Sequence, residues 1–429
     1  MITRLVLVAS VVLFAAASPA TAQDFEVWLV DQSNSPSLTH GGAIYIYQGP
    51  TLMGESASSA AAEKIDLGGA TTALCLTKTG ANPVRPHMIF FNSTRTHAVL
   101  SFVVSGHVVF FDAVTRSPVD CLRMSPGAGG ARQAHAAFPT PDDRAVLVAN
   151  QNGKLFERIK TNYASNVFEH ETAATLNLAL CTTPSGAACQ AAGIRPDNAP
   201  ICPFVASDNG PAFVTLRGGG LFVVDHAATP MAIVGEYDQS VIGPNGCGVV
   251  QAKGRVFLNA GGGTADHLHE FLVYRLPMTG YSALNPPNTP EPELLFQAVG
   301  ARDAHGPVAT KGERFVWIFD RAANVAEVFD AASGSWINTV TLLSDDSGDP
   351  TPDLAVLSPS GNRIFVSLRG PNPLSGDPHA STGSTPGLGV LQVEQGGRHG
   401  RVKAIARITN PDAGGVERAD AHGIALRRK

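Results

Sequence analysis

The sequence predicts an all-β fold, a seven-bladed β-propeller whose first blade is closed by strands from both ends of the chain. Short segments rich in Val, Ile and Phe alternate with turn residues along the chain, as expected for evenly spaced strands. One strand–turn–strand pattern recurs seven times, which is typical of propeller blades. The chain ends on "DAHGIALRRK", which repeats the Asp-Ala-His-Gly of residues 303–306 and stops after a single strand.

Each repeat opens with a short apolar run, followed by a polar turn and a second strand, as in "HAAFPTPDDRAVLVAN" and "HGPVATKGERFVWIFD". The spacing between successive repeats is roughly 45 to 70 residues, which fits four strands per blade with insertions in some loops. The repeats start at His87, His135, Cys202, Cys247, His305, Asp353 and His422.

The last repeat contains only its first strand, so the other strands of that blade must come from elsewhere. The beginning of the chain offers "FEVWLVDQ", "GAIYIYQG" and a strand near "TALCLTK". Closure of this kind leaves no open gap in the ring, because every inner strand then has a partner. We therefore expect the tail to be the innermost strand of the first blade.

This pattern resembles the exported YVTN-type seven-bladed propellers. Their wider group includes the heavy chain of methylamine dehydrogenase, the propeller of nitrous oxide reductase and proteins similar to methanethiol oxidase and selenium-binding proteins. The resemblance covers nearly the whole mature chain and is architectural: the Tyr-Val-Thr-Asn signature is not intact, and "VLVAN" at 146–150 is its nearest equivalent. It implies a fold, and a fold does not by itself imply a function.

Residues 1–22 have the pattern of a secretory signal peptide. Arg4 precedes an apolar run over 5–17, and Ala20-Thr21-Ala22 offers a cleavage site. The alternative of a membrane anchor requires a longer apolar run. We expect a mature chain of 23–429 that forms one propeller domain in the periplasm or outside the cell, with no membrane insertion. The net charge of −5, without a basic stripe, argues against a nucleic-acid partner.

The start of each repeat is expected to line the central channel, so seven polar side chains should meet at one axis. Four of them are imidazoles, which are good ligands of copper, zinc and iron. We therefore predict a transition metal, with copper favoured, held by His87, His135, His305 and His422. Asp353 would orient the ligands or accept a proton in catalysis.

The six cysteines are an even number in an exported chain, which indicates disulfides. Cys181 and Cys189 flank a Gly/Pro loop that a local bridge could close. Cys202 and Cys247 stand in the axial ring and have two interpretations: they bind the ligand, or they form a disulfide between neighbouring blades.

Further polar residues fall in loops on the same face. Arg217 and Arg369 could hold an anionic ligand through their guanidinium forks, and His267 and His269 have the spacing of a weak chelate. The alternative for loop arginines is pairing with loop carboxylates such as Asp303 and Asp420.

Three functions fit these features. The first is a metal-dependent oxidoreductase acting on a small molecule at the axial face. The second is a binding module for a small ligand, an anion or a protein, without turnover. The third is a propeller subunit of a periplasmic redox complex, with a redox partner protein. The sequence shows no serine-hydrolase, zincin or EF-hand motif.

Overall fold

The computed structural model describes residues 24–37, 40–261, 270–374 and 382–429. Its strands form seven antiparallel sheets, and six of these have four strands each. The prediction of an all-β, seven-bladed propeller is confirmed. Among the described residues, no helix is long and apolar enough to cross a membrane.

Blade 1 closes the ring as predicted. Its strands are β1 (Phe25–Asp31), β2 (Ala43–Gln48), β3 (Ala62–Asp66) and β29 (Ala421–Arg428), in the order β29-β1-β2-β3. The innermost strand β29 pairs antiparallel with β1, with Ile424 opposite Leu29. Both side chains are buried, so the two ends of the chain share one core.

The remaining blades follow in chain order, each running from its innermost to its outermost strand. Blade 2 contains β4 (Pro86–Phe91), β5 (His97–Phe102), β6 (His107–Asp112) and β7 (Pro118–Arg123). Blade 3 contains β8 (Ala134–Pro139), β9 (Ala145–Asn150), β10 (Leu155–Asn162), β11 (Val167–His170) and the short β12 (Leu176–Asn177), which also pairs with β10. Blade 4 contains β13 (Pro200–Val205), β14 (Ala212–Leu216), β15 (Leu221–Asp225) and β16 (Ala232–Tyr237).

Blades 5 to 7 complete the ring. Blade 5 contains β17 (Val249–Ala252), β18 (Arg255–Ala260), β19 (Glu270–Pro277) and β20 (Glu293–Val299). Blade 6 contains β21 (Ala304–Ala309), β22 (Phe315–Asp320), β23 (Val325–Asp330) and β24 (Trp336–Thr341). Blade 7 contains β25 (Pro352–Leu357), β26 (Arg363–Leu368), β27 (Gly387–Glu394) and β28 (His399–Arg407).

The prediction of a strand near "TALCLTK" is wrong. The outer strand of blade 1 is β3, and the segment forms the helix α2 (Ala70–Thr79) after the short α1 (Gly49–Met53). A short apolar run fits a helix or a strand equally well. Here the residue that follows the segment favours a helix, because Gly80 adopts the left-handed conformation that commonly terminates helices. A disulfide between Cys75 and Cys121 ties α2 to β7.

The innermost strands approach one another closely around the channel. A Cβ atom on Gly306 would lie 2.3 Å from the carbonyl oxygen of Asp353, and one on Gly423 would lie 2.3 Å from that of His87. Only glycine leaves room for such an approach. The repeated His-Gly of the sequence therefore has a packing reason, since the histidine faces the channel and the glycine lets the next strand pack against it.

All six cysteines are paired. The bridges are Cys75–Cys121, Cys181–Cys189 and Cys202–Cys247. Three disulfides indicate an oxidising compartment, periplasmic or extracellular.

A buried histidine between blade 2 and α2 makes the stability of the fold depend on pH. His107 is fully buried and contacts the hydroxyls of Thr79 and Ser105 at 2.9 Å. Burial, together with the positive charges of Arg123 and Arg132, lowers its pKa from 6.5 to about 4. The folded protein therefore resists a proton that the unfolded chain accepts.

Because the pKa of His107 is lower in the folded state, stability is expected to fall as pH drops from 6.5 to about 4. Linkage puts the loss from this group at roughly 3 kcal/mol. Urea unfolding at several pH values measures it. His107→Gln should flatten the slope in this window, and His399→Gln, at a side chain that is 44% exposed on the outer strand β28, is the matched control. Equal slopes in His107→Gln and the parent would contradict the assignment.

Candidate functional site

Five of the predicted site residues line the axial channel at equivalent positions. Each lies at the second position of an innermost strand, where the pairing with the next strand shifts register. Such bulges re-aim a side chain, here toward the axis. All five are buried, with 0 to 9% of their surface exposed: His87, His135, His305, Asp353 and His422.

Two of the imidazoles face each other. The Nε2 atoms of His87 and His135 are 3.2 Å apart. Gln32 donates from its amide nitrogen to Asp420 at 2.9 Å, so its oxygen points toward His87 Nδ1, at 2.8 Å. His87 therefore donates from Nδ1. Because burial and the neighbouring imidazoles of His422 and His135 hold the pKa of His87 well below its usual value, its Nε2 carries a lone pair.

Asp353 connects the other two imidazoles. His422 donates from Nδ1 to Oδ2 of Asp353 at 2.6 Å, and His305 Nε2 lies 2.8 Å from Oδ1 in a contact that is not aligned as a hydrogen bond. The His422 ring stacks on His87, with centroids 3.9 Å apart. Within the described part of the chain, Nε2 of His422 is buried without a hydrogen-bond partner.

Two arginines surround the same carboxylate. Arg369 donates to both oxygens of Asp420, at 2.6 and 2.9 Å, and to Asp353 at 3.1 Å. Arg321 donates to both oxygens of Asp303, at 2.8 and 3.0 Å, and lies 3.7 Å from Asp353. Each guanidinium thus has a carboxylate of its own, and Asp353 remains as the additional negative charge of the cluster.

The pKa values follow from this arrangement. Burial alone would raise the pKa of Asp353, but His422, His305, Arg321 and Arg369 hold it well below its usual value. Burial lowers the pKa of His305, and the charge of Arg321 adds to the effect. The channel therefore contains an ionised carboxylate beside neutral imidazole, a combination that attracts a cation. His305, Asp353 and His422 could hold a metal ion, since one donor atom from each lies within 4.8 Å of the others.

The two cysteines of the axial ring form a disulfide and are not free ligands, which was the second of the two interpretations predicted for them. Cys202 and Cys247 form a disulfide that joins the inner edges of blades 4 and 5. The Cys247 sulfur lies 3.8 Å from His135 Nδ1. As a disulfide, neither sulfur is a thiolate, so the expectation that they act as ligands does not hold in this structure.

The remaining predicted residues divide into three cases. Arg369 lies in the axial cluster, where it pairs with carboxylates, as the alternative interpretation had it. Arg217 binds Asp197 at 2.6 Å and has no contact with the imidazoles in the described structure. His267 and His269 lie outside the described residues.

Sequence reasoning missed Arg321, although a signal was present. Arg321 directly follows the second strand of its blade, as Arg217 and Arg369 do, and Gln32 takes this position in blade 1. Asp303 and Asp420 each precede a ring histidine by two residues. The position after each second strand was the signal for Arg321 and Gln32, although Arg217 at the same position pairs with Asp197 instead.

Known structures share this architecture at low sequence identity. A protein from Lactobacillus plantarum aligns with a TM-score of 0.59 at 12% identity, over 94% of this chain and 99% of that one. The periplasmic gluconolactonase of Pseudomonas aeruginosa aligns at 0.54 and 12%, over 94% and 99%. A dihydro-heme d1 dehydrogenase aligns at 0.50 and 10%, over 95% and 76%.

These likenesses show the fold alone. No family model and no curated protein matches the sequence. The resemblance to YVTN-type propellers therefore stays a prediction at the level of the family, while the propeller itself is established by the seven sheets.

Proposed function

We propose that this protein is an exported propeller that binds a transition metal ion in its axial channel. The observation that carries the proposal is the 3.2 Å separation of the His87 and His135 Nε2 atoms. Two nitrogens bound to one tetrahedral ion at 2.0–2.1 Å lie about 3.3 Å from each other. His422 adds a buried Nε2 without a hydrogen-bond partner in the described structure, beside the His87 ring.

The surroundings of the imidazoles support the same proposal. Histidines that bind metals usually donate their second nitrogen to a carboxylate or another oxygen, which fixes the ring. His87 does so to Gln32, and His422 does so to Asp353. The additional negative charge of Asp353 favours a cation. Imidazole ligands suit copper, zinc and iron, and we favour copper.

Metal analysis tests the proposal directly. The protein, purified without chelators from the compartment to which it is exported, is expected to contain about one transition-metal ion per chain, because the channel offers one such site. His422→Gln keeps a donor for Asp353 and removes the imidazole, so it should lose most of the metal. His399→Gln, at a side chain that is 44% exposed on the outer strand β28, is the matched control and should retain it.

A direct hydrogen bond between His87 and His135 would give the same separation without an ion. Protein that contains no transition metal, and takes up none from copper(II), zinc(II) or iron(II), would establish that hydrogen bond and end the proposal.

The chemistry that the bound metal would perform is a separate part of the proposal. A bound copper ion supplies one-electron chemistry, which would make the protein a metal-dependent oxidoreductase acting on a small molecule at the channel mouth, alone or with a redox partner protein. The role of Asp353 in such a reaction is to hold His422 and His305 in place. The alternative is a binding module, which a ligand that raises the melting temperature without metal and without turnover would favour.

A further inference from the structure

A groove lies away from the axis, between blades 2 and 3. The groove has a volume of about 440 Å³. Its walls are the end of α2, the outer strand β7 and the outer strand β11. The residues that line it include Lys78, Thr79, Asp120, Arg123, Arg132 and Phe168.

Two arginines line the groove and use only part of their hydrogen-bonding capacity. Arg123 donates from Nε to the carbonyl of Ser105 at 3.2 Å, and Arg132 donates from Nε to the carbonyl of Met124 at 2.8 Å. In the described part of the chain, the terminal nitrogens of both guanidinium groups have neither a hydrogen-bond acceptor nor a carboxylate partner. The Nε bonds fix the planes of the two groups and leave their outer edges for a ligand.

The position of Arg132 depends on a glycine. A Cβ atom on Gly106 would lie 2.7 Å from the Cβ of Arg132, and Gly106 has a φ of +71°. The glycine thus lets the stem of Arg132 pack against the turn after β5. The side chain is half-buried and held, unlike a freely extended surface arginine.

The groove has an excess of positive charge. Its carboxylate, Asp120, pairs with Lys78 at 3.1 Å, so these two charges cancel. His107, in contact with Thr79, is neutral at physiological pH, because its pKa is about 4. Partial burial and the charge of Arg132 lower the pKa of Arg123, which shows that the two guanidinium groups influence each other. Arg123 and Arg132 are therefore two neighbouring positive charges without a counter-ion.

We propose that this groove binds a small organic anion through Arg123 and Arg132. Two guanidinium forks match the oxygens of a phosphate or a carboxylate, which they can bind in bidentate fashion. The volume is that of a small-molecule pocket and exceeds what an inorganic ion needs. Phe168, at 6% exposure, and Leu122 provide an apolar wall for the body of the ligand.

Calorimetric titration with phenyl phosphate and with benzoate tests the site, and phenol serves as the uncharged control. At least one anion is expected to bind, phenol is not, and added salt should weaken binding. Since hydrogen bonds to charged groups are strong, Arg123→Gln and Arg132→Gln should each weaken binding by about tenfold to a hundredfold. Arg144→Gln, at a side chain that is 88% exposed, is the matched control and should bind as the parent does.

The two anions distinguish the ligand chemistry: tighter binding of phenyl phosphate assigns a phosphomonoester, and tighter binding of benzoate assigns a carboxylate. Melting curves check that each variant is folded. Either of two results overturns the proposal: the parent binds neither anion at millimolar concentration, or folded Arg123→Gln and Arg132→Gln bind as tightly as Arg144→Gln.

Discussion

Removal of residues 421–429 is expected to abolish cooperative folding of the whole propeller. The deletion takes away β29, the innermost strand of blade 1. Two large apolar side chains leave the core, Ile424 and Leu426, each contributing about 1.5–3 kcal/mol by burial. The edge of β1 that pairs with β29 loses its backbone hydrogen-bond partners while it stays buried. Each group left unpaired lowers the free energy of unfolding by about 1–3 kcal/mol. The sum reaches the total stability of an ordinary domain, about 5–15 kcal/mol.

The measurement is a urea unfolding curve followed by near-ultraviolet circular dichroism. The truncated chain should show no cooperative transition and should collect in the insoluble fraction. Removing Lys429 alone is the control, because this residue is exposed and follows the strand. A truncated protein that unfolds cooperatively at the midpoint of the parent would show that blade 1 does not depend on β29.

Asp353→Asn is expected to lower the free energy of unfolding by about 3–5 kcal/mol, the range for removing one partner of a buried ion pair. The substitution preserves the shape of the side chain and removes its charge. Asp353 is fully buried and contacts His422, His305 and Arg369. The neutral amide of asparagine cannot balance the positive charge of Arg369. Its nitrogen is a donor and would face the donors of Arg369 or His422, which now bind the carboxylate.

Urea unfolding of chelator-treated protein measures this effect separately from any metal. Asp345→Asn is the matched control at an exposed carboxylate and should change the free energy by less than about 0.5 kcal/mol, as is usual for surface substitutions. An equally small decrease in the free energy of unfolding for Asp353→Asn would mean that the axial carboxylate does not stabilise the propeller.

The repeat pattern was sufficient to predict where the axial residues lie. Residues 87 and 422 are far apart along the chain, yet their rings stack, because each starts an innermost strand and all such strands meet at one axis. This outcome follows from topology alone. It required no knowledge of side-chain conformation, which is why positions were predicted better than contacts.

The partners of those residues could not be predicted in the same way. Whether Arg369 would meet a ligand or a carboxylate depended on where Asp420 points, which is a matter of loop geometry. The choice between thiolates and a disulfide at Cys202 and Cys247 depended on the distance between two blades. The segment of α2 was misassigned because a short apolar run does not by itself separate a helix from a strand.

The close backbone contacts of Gly306 and Gly423 also affect how the axial channel can change by mutation. Where main chain touches main chain, the width of the central opening is set by the backbone and not by the groups that point into it. Replacing a histidine by another side chain of similar size should therefore alter the chemistry of the opening while its diameter stays the same. Such a scaffold offers a fixed frame in which new sets of donor atoms can be installed one position at a time.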